Sequence, residues 1–305
     1  MRVLNIGSIN IDHVYGVDHF VRPGETLAAS SYSTFAGGKG FNQSVALARA
    51  GAATCHSGRV GPNAEWLVRR LGQESVDTTF VLADEVATGH AIIQVVPSGE
   101  NSIVLFGGAN RTITEADVTT ALSSCSSGDY VLLQNEISSV PYAIQCAHEK
   151  GLRIVFNPAP MSGDVRHYPL ALVDIFILNE TEAEQLTGRT NPEDIRAIMR
   201  EQYPRSATVL TRGSKGAVYF DCESELKQPA LVVDAVDTTA AGDTFVGFFL
   251  AELMHTGDPA KALALGCRAA AICVTRVGAA DSIPLRKEME TIQPDKFRVR
   301  GKPRR

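Results

Sequence analysis

A chain of 305 residues, 44% hydrophobic and 21% charged, can bury a full core as one large domain or as a domain with a smaller appendage, which excludes disordered and collagen-like classes. Its net charge of -5 gives no electrostatic footprint for nucleic acid, and the basic run that closes it, Lys296, Arg298, Arg300, Lys302, Arg304 and Arg305, reads as a solvated tail. Six cysteines, Cys55, Cys125, Cys146, Cys222, Cys267 and Cys273, stand singly without C-x-x-C pairs, so they read as small buried apolar residues in a reducing compartment rather than as zinc ligands or disulfides.

Val3 to Ile9 opens the chain as an apolar, strand-like stretch without the charged region, long apolar run and cleavage site of a secretory signal. No apolar run approaches the roughly 18 residues of a membrane span, so a soluble, cytoplasmic protein is expected. Residues 13–35 follow no regular pattern. Then come helix-like Gly40–Ala50, strand-like Thr54–Val60 and helix-like Glu65–Leu71. In residues 88–107, His90–Val96 and Ser102–Phe106 flank the turn Pro97-Ser98-Gly99-Glu100-Asn101 and predict a hairpin. Strands at Tyr130–Gln134, Ile154–Asn157, Ile175–Asn179 and Thr208–Thr211 alternate with helices at Val140–Lys150 and Glu180–Leu186. Gly51, Gly72, Gly151 and Gly188 each stand where a left-handed helix C-cap requires glycine.

The alternation predicts an α/β fold, a three-layer α/β/α sandwich with a mainly parallel sheet. Residues 13–35 and 88–107 are too short to form a core of their own. They read as a β lid over a cleft or over a partner's equivalent strands, leaving 1–12, 36–87 and 108–305 as the main body.

Two segments carry chemistry. Asp237-Thr238-Thr239-Ala240-Ala241-Gly242-Asp243 runs into the apolar stretch Thr244 to Leu253, so small residues and an aspartate open a buried helix. Its unpaired N–H groups and positive dipole end suit the charge that develops on a transferring phosphoryl group. Asp243, in the first turn, can accept a hydroxyl proton or simply cap the helix. Ala36-Gly37-Gly38-Lys39-Gly40-Phe41-Asn42-Gln43 sets glycines and a lysine at a helix mouth, where backbone can approach a ligand and a cation can orient phosphate or sugar oxygens; a flexible turn has the same composition. Neither G-x-x-x-x-G-K-[ST] nor G-x-G-x-x-G occurs, which removes the P-loop and the usual dinucleotide-binding classes.

Together these segments resemble the paired motifs of the ribokinase-like, phosphofructokinase-B-type sugar kinase family. Gly7-Ser8-Ile9-Asn10-Ile11-Asp12, Gly107-Gly108-Ala109-Asn110, Gln134-Asn135-Glu136, Asn157-Pro158-Ala159-Pro160, Leu178-Asn179-Glu180-Thr181-Glu182-Ala183-Glu184 and Thr211-Arg212-Gly213-Ser214-Lys215-Gly216 occur in the order that family shows, over nearly the whole chain.

The resemblance implies ATP-dependent phosphorylation of a pentose, with D-ribose at O5 the substrate expected. It implies that Asn10, Asp12, Gly38, Lys39, Asn42 and Glu136 hold the sugar, with Asp243 as the base in contact with it. Asn179, Thr211, Arg212, Gly213, Ser214, Lys215, Gly216, Ala241 and Gly242 would hold the nucleotide, the N–H groups of Ala241, Gly242 and Asp243 forming an anion hole. Glu182 would position Mg²⁺ through bound water, because Mg²⁺ keeps much of its hydration. Asp237, Thr239, Cys273, Arg276, Gly278 and Ser282 would offer mostly backbone oxygens to a monovalent cation, K⁺. Plain readings stand beside these: Glu180 and Glu184 as a solvated acidic helix start, and Thr211–Gly216 as an ordinary β-turn.

The chain departs from the family's commoner forms at Gly61-Pro62-Asn63 in place of Gly-Asp-Asp, at Cys267 where the nucleobase is contacted, and at Ala240 where many relatives carry glycine. The resemblance also implies a homodimer clasped through the lids, with Ile93, Val95, Val104 and Phe106 seeking cover. Alternatives are a kinase for deoxyribose or pseudouridine and a catalytically silent sugar-sensing protein. Asn10 speaks against deoxyribose, and retention of Asp243 with the N-x-x-E motif speaks against silence.

Overall fold

The computed structural model describes residues 1–291 and 298–299; Lys296, Arg300, Lys302, Arg304 and Arg305 of the basic run lie outside the described residues. The strands, in chain order, are β1 (Val3–Ile6), β2 (Asn10–Gly16), β3 (Ser31–Gly37), β4 (Thr54–Val60), β5 (Asp77–Ala83), β6 (Gly89–Val95), β7 (Asn101–Phe106), β8 (Tyr130–Gln134), β9 (Arg153–Asn157), β10 (Ile175–Asn179), β11 (Ala207–Thr211), β12 (Ala217–Phe220), β13 (Glu225–Gln228), β14 (Leu231–Val232) and β15 (Arg298–Val299). The helices are α1 (Lys39–Arg49), α2 (Glu65–Gln73), α3 (Glu115–Ser123), α4 (Val140–Glu149), α5 (Glu180–Thr187), α6 (Pro192–Gln202), α7 (Ala241–Thr256), α8 (Pro259–Cys273) and α9 (Arg286–Thr291).

A nine-stranded sheet runs in the order β13-β12-β11-β10-β9-β8-β1-β4-β5. It is parallel from β5 to β11 and antiparallel only where β12 and β13 are added at one edge. Its central strands are buried on both faces, which is why they read as continuous apolar runs. Alternate residues feed two cores. Val3, Leu132 and Val155 face the side of α1, α2, α7 and α8, whereas Leu4, Val131, Leu133 and Phe156 face the side of α3 to α6. The α/β/α sandwich is therefore as expected.

A separate four-stranded sheet has the order β3-β2-β6-β7. β6 and β7 form the expected hairpin, with Val96 N–H donating to the Glu100 carbonyl and Gly99 at φ +84° in the turn.

Three expectations are corrected. The first strand stops at Ile6 rather than Ile9, because the chain leaves the large sheet at Gly7–Ile9 and enters the small one at Asn10. Gly51, Gly151 and Gly188 do adopt positive φ after their helices, but Gly72 lies inside α2, which runs on to Gln73, and the left-handed position falls on Ser75. Cys222 is exposed, in the turn between β12 and β13, and Cys146 is half-buried; Cys55, Cys125, Cys267 and Cys273 are buried as expected.

Candidate active site

Strand order reverses at β1: the chain moves outward through β4 and β5 on one side, and from β8 through β9 to β11 on the other. In open α/β sheets such a switch point leaves a crevice beyond the strand ends, where ligands bind. The residues that follow β1 and β8 and open α1 and α7 meet there.

α1 and α7 are drawn together because Gly247 lets the helices approach closely; a Cβ there would stand 2.4 Å from that of Ala46. Their first turns therefore converge. Asp243, 8% exposed, accepts from Asn42 Nδ2 at Oδ2 (3.1 Å) and from Gln43 Nε2 at Oδ1 (2.9 Å). Glu136 Oε2 accepts from the Ser8 hydroxyl and from the Lys39 N–H (3.1 Å), and Ser8 Oγ accepts in turn from the Gly40 N–H (3.1 Å). This ties the β8 end to the mouth of α1.

Asn10 Oδ1 accepts from Asn110 Nδ2 (2.7 Å), which turns the Asn10 amide nitrogen away from that pair. Asp12 shares the Asn10 face of β2 and lies over Gly37, where a Cβ would be 2.1 Å from its carboxylate and would displace it. Burial, then the charges of Glu136 and Asp243, push the Asp12 carboxyl up to about 7. Burial alone would lower Lys39, but the carboxylates of Asp243, Glu136 and Glu182 outweigh it and hold the ammonium above its ordinary value. One half-buried cation thus sits among acidic groups from both halves of the site.

At the end of β10, Asn179, expected to hold the nucleotide, caps α5 in a capping box. Its Oδ1 accepts from the Glu182 N–H (2.8 Å), and Glu182 accepts from the Asn179 N–H (2.9 Å) and Nδ2 (2.8 Å). Burial first, then Asp243, raise the Glu182 carboxyl, against the pull of the Asn179 N–H and Lys39. Glu180 is not merely solvated: it pairs with Lys215 (3.1 Å) and Arg212 (3.4 Å) of the turn after β11. In that turn Gly213 and Gly216 take positive φ, Arg212 N–H donates to the Gly216 carbonyl (2.7 Å), and Ser214 lies between them; the Thr211 hydroxyl donates to the Leu178 carbonyl (3.2 Å).

Ala240, the N-cap of α7, is left-handed at φ 58° without being glycine, a conformation that costs about 1–2 kcal/mol for a residue with a Cβ. The Ala241 N–H turns back to the Thr238 carbonyl (3.3 Å), while those of Gly242 and Asp243 are among the first-turn donors that no carbonyl of the helix can reach.

The loops before α7 and after α8 are stitched together. Asp237 accepts from the N–H groups of Thr239 and Gly278 (both 2.9 Å), Cys273 Sγ lies 3.0 Å from Ser282 Oγ, and Arg276 N–H donates to the Cys273 carbonyl (3.0 Å). The Arg276 guanidinium turns away to Glu288. Burial would raise Asp237, yet its hydrogen bonds from Thr239 and Gly278 hold it below the ordinary value, so an ionised oxygen site persists. Among the described residues, no group of three or more His, Cys, Asp or Glu side chains could hold a metal ion, and no helix is long and apolar enough to cross a membrane.

Sequence reading gave no role to Ser8, Gln43, Asn110, Gln134 or Asn157, all of which pack directly behind the site. The available signal is that each is a polar residue in a motif bordering an apolar run.

The sequence profile described as "pfkB family carbohydrate kinase" matches residues 2–286. The chain is 39% identical over 295 residues to a ribokinase of Haemophilus influenzae, covering 93% of this chain and 95% of that protein. It is 32% identical over 293 residues to a deoxyribokinase of Salmonella typhi, covering 93% and 96%. The solved structure of Arabidopsis thaliana ribokinase complexed with ribose and ATP superimposes with a TM-score of 0.86 at 28% identity, over 95% of this chain and 97% of that one. A large parallel sheet beside a separate four-stranded one, a polar crevice at the strand switch and a profile match over nearly the full length lead to one assignment: the chain belongs to the pfkB family of carbohydrate kinases.

Proposed function

We propose that this carbohydrate kinase transfers the γ-phosphoryl group of ATP to O5 of D-ribose, with Asp243 as the base. The observation that carries this reading is the gathering of Asn10, Asp12, Lys39, Asn42, Glu136 and Asp243 into one crevice, with donors and acceptors enough for several sugar hydroxyls beside a first-turn carboxylate. Asp243 removes the proton as the hydroxyl oxygen attacks, the Gly242 and Asp243 N–H groups meet the charge on the transferring group, and the small sheet limits access of water, which would compete as acceptor. The similar H. influenzae and A. thaliana proteins are ribokinases, and the latter holds ribose and ATP.

The S. typhi relative supports deoxyribose as the second reading. The buried Asn10 amide, 3% exposed, favours ribose, because a site built to bond a hydroxyl discriminates against the analogue that lacks it.

Mg²⁺ accompanying the nucleotide would be held by Glu182 through water and would neutralise phosphate charge. The ionised Asp237 and the pinned loops around Cys273, Gly278 and Ser282 fit a K⁺ ion beside α7. Free thiols suit a cytoplasmic setting. ATP consumption is expected with ribose above all other pentoses, hexoses and nucleosides in a panel, and to rise when K⁺ replaces a large organic cation at equal ionic strength. Preference for deoxyribose would overturn the substrate, and equal rates in both salts would remove the K⁺ site.

The small sheet also supports a homodimer. His90 pairs with Phe106 and Ile92 with Val104 across β6 and β7, on the face opposite Asp12. There Val104 is 64% exposed and Phe106 49%, more apolar surface than a lid that only covers its own cleft requires. Val104→Asp is expected to convert dimer to monomer in light scattering and to weaken sugar binding with it. A wild-type chain that is monomeric at micromolar concentration and fully active would rule the clasp out.

A further inference from the structure

Behind the base lies a string of buried amides. Asn5, Gln43 and Gln134 are fully buried and Asn157 is 8% exposed. On β1, β8 and β9 these amides occupy positions that alternation turns toward α1, in register with the apolar Val3, Leu132 and Val155.

Two acceptor-only groups set the direction of every amide. The Gly40 carbonyl can only accept, so Asn5 offers it Nδ2 (2.7 Å) and turns Oδ1 toward Gln134. Gln134 Nε2 then donates to Asn5 Oδ1 (2.9 Å) and to Gln43 Oε1 (2.7 Å). From the other side, the Ile177 carbonyl accepts from Asn157 Nδ2 (2.9 Å), which leaves Asn157 Oδ1 to accept from Gln43 Nε2 (3.0 Å). Both chains of constraint end at the same place: Gln43 must present its NH₂ to Asp243 Oδ1, at 2.9 Å. Reversing it would set acceptor against acceptor at Asp243 and at Asn157, and donor against donor at Gln134.

We propose that Gln43 is the positioning residue of the base, with Gln134, Asn5 and Asn157 holding its amide in the donating sense; this rests on the reading of Asp243 as the base. One carboxylate oxygen is fixed from behind by Gln43. The other stays beside Asn42, itself assigned to the sugar. Of these four amides, Gln134 Oε1 alone lacks a hydrogen-bond partner; the bonds that are made fix the sense of Gln43 in a single geometry, and a reacting group misplaced by about 1 Å can cost about 10²-fold in rate.

The test is Gln43→Glu, which keeps the shape and replaces the donating NH₂ by a carboxyl oxygen. At alkaline pH, kcat is expected to fall about 10²-fold while KM for sugar and for ATP changes little. The loss should shrink as pH falls, because the introduced carboxyl regains a proton to donate. Gln134→Met, which does not touch Asp243, frees the Gln43 amide to turn and should also lower kcat; combined with Gln43→Glu it should add little. A role in folding alone would lower the melting temperature of both variants without a pH-dependent ratio to wild type, and that result overturns the proposal. Asp243→Asn is measured beside them. If it is inactive while both glutamine variants turn over normally, only the positioning role fails; if it turns over normally, the base assignment itself fails.

Discussion

Asp243→Asn is expected to lower kcat by about 10²–10⁴-fold, the usual cost of losing a general base, while leaving ATP affinity nearly unchanged. The loss has two parts. The amide cannot take the hydroxyl proton, and its own NH₂ must face either Asn42 Nδ2 or Gln43 Nε2, both of which donate to the carboxylate. The side chain is therefore expected to turn out of place as well as lose its charge. Steady-state kinetics with nucleotide binding by calorimetry would check it, and near-wild-type turnover in a folded variant would remove Asp243 from the mechanism.

Asp12→Asn is expected to weaken sugar binding by about 10–100-fold, the value of one or two hydrogen bonds to a charged group. It should at the same time stabilise the free protein at alkaline pH. The sign follows from the raised carboxyl: Asp12 moves from 3.8 to about 7 because it is buried beside Glu136 and Asp243. Between those values the folded state binds a proton that the unfolded state has lost, so the contribution of Asp12 to stability falls as pH rises from about 4 to about 7 and stays unfavourable above. The variant should melt about 2–4 °C above wild type at alkaline pH, as expected for a gain near 1 kcal/mol in a protein of this size, with no gain at about pH 4. Sugar affinity of the wild type should tighten as pH rises through about 7, where the carboxylate becomes the acceptor. An affinity flat across that range would show that Asp12 does not accept from the sugar.

The large sheet was legible because burial on both faces leaves unbroken apolar runs such as Val131–Leu133 and Ile175–Leu178. α6 and α8, which a reading of apolar runs passes over, carry a start signal in Asn191-Pro192 and Asp258-Pro259, with the side chains of Asn191 and Asp258 capping the helices. The residues of the crevice were legible as motifs, since glycines and polar groups at strand ends interrupt the apolar pattern. What supports them was not. Asn5 within Val3–Ile6 looks like a blemish in a strand, and its partner Gln134 lies 129 positions away. The Asp12 shift likewise depends on Glu136 and Asp243, brought near only by the fold.

Gly7–Ile9 are the only residues between the end of β1 in the large sheet and the start of β2 in the small one. The first residue of β2, Asn10, lies at the crevice while Phe106 and Val104 crown the opposite face two strands away. On the proposed reading, substrate choice and self-association therefore belong to a single block. A chimera that borrowed these four strands from another sugar kinase would acquire the donor's appetite and the donor's company together, and only residue-by-residue exchange on one face could separate them.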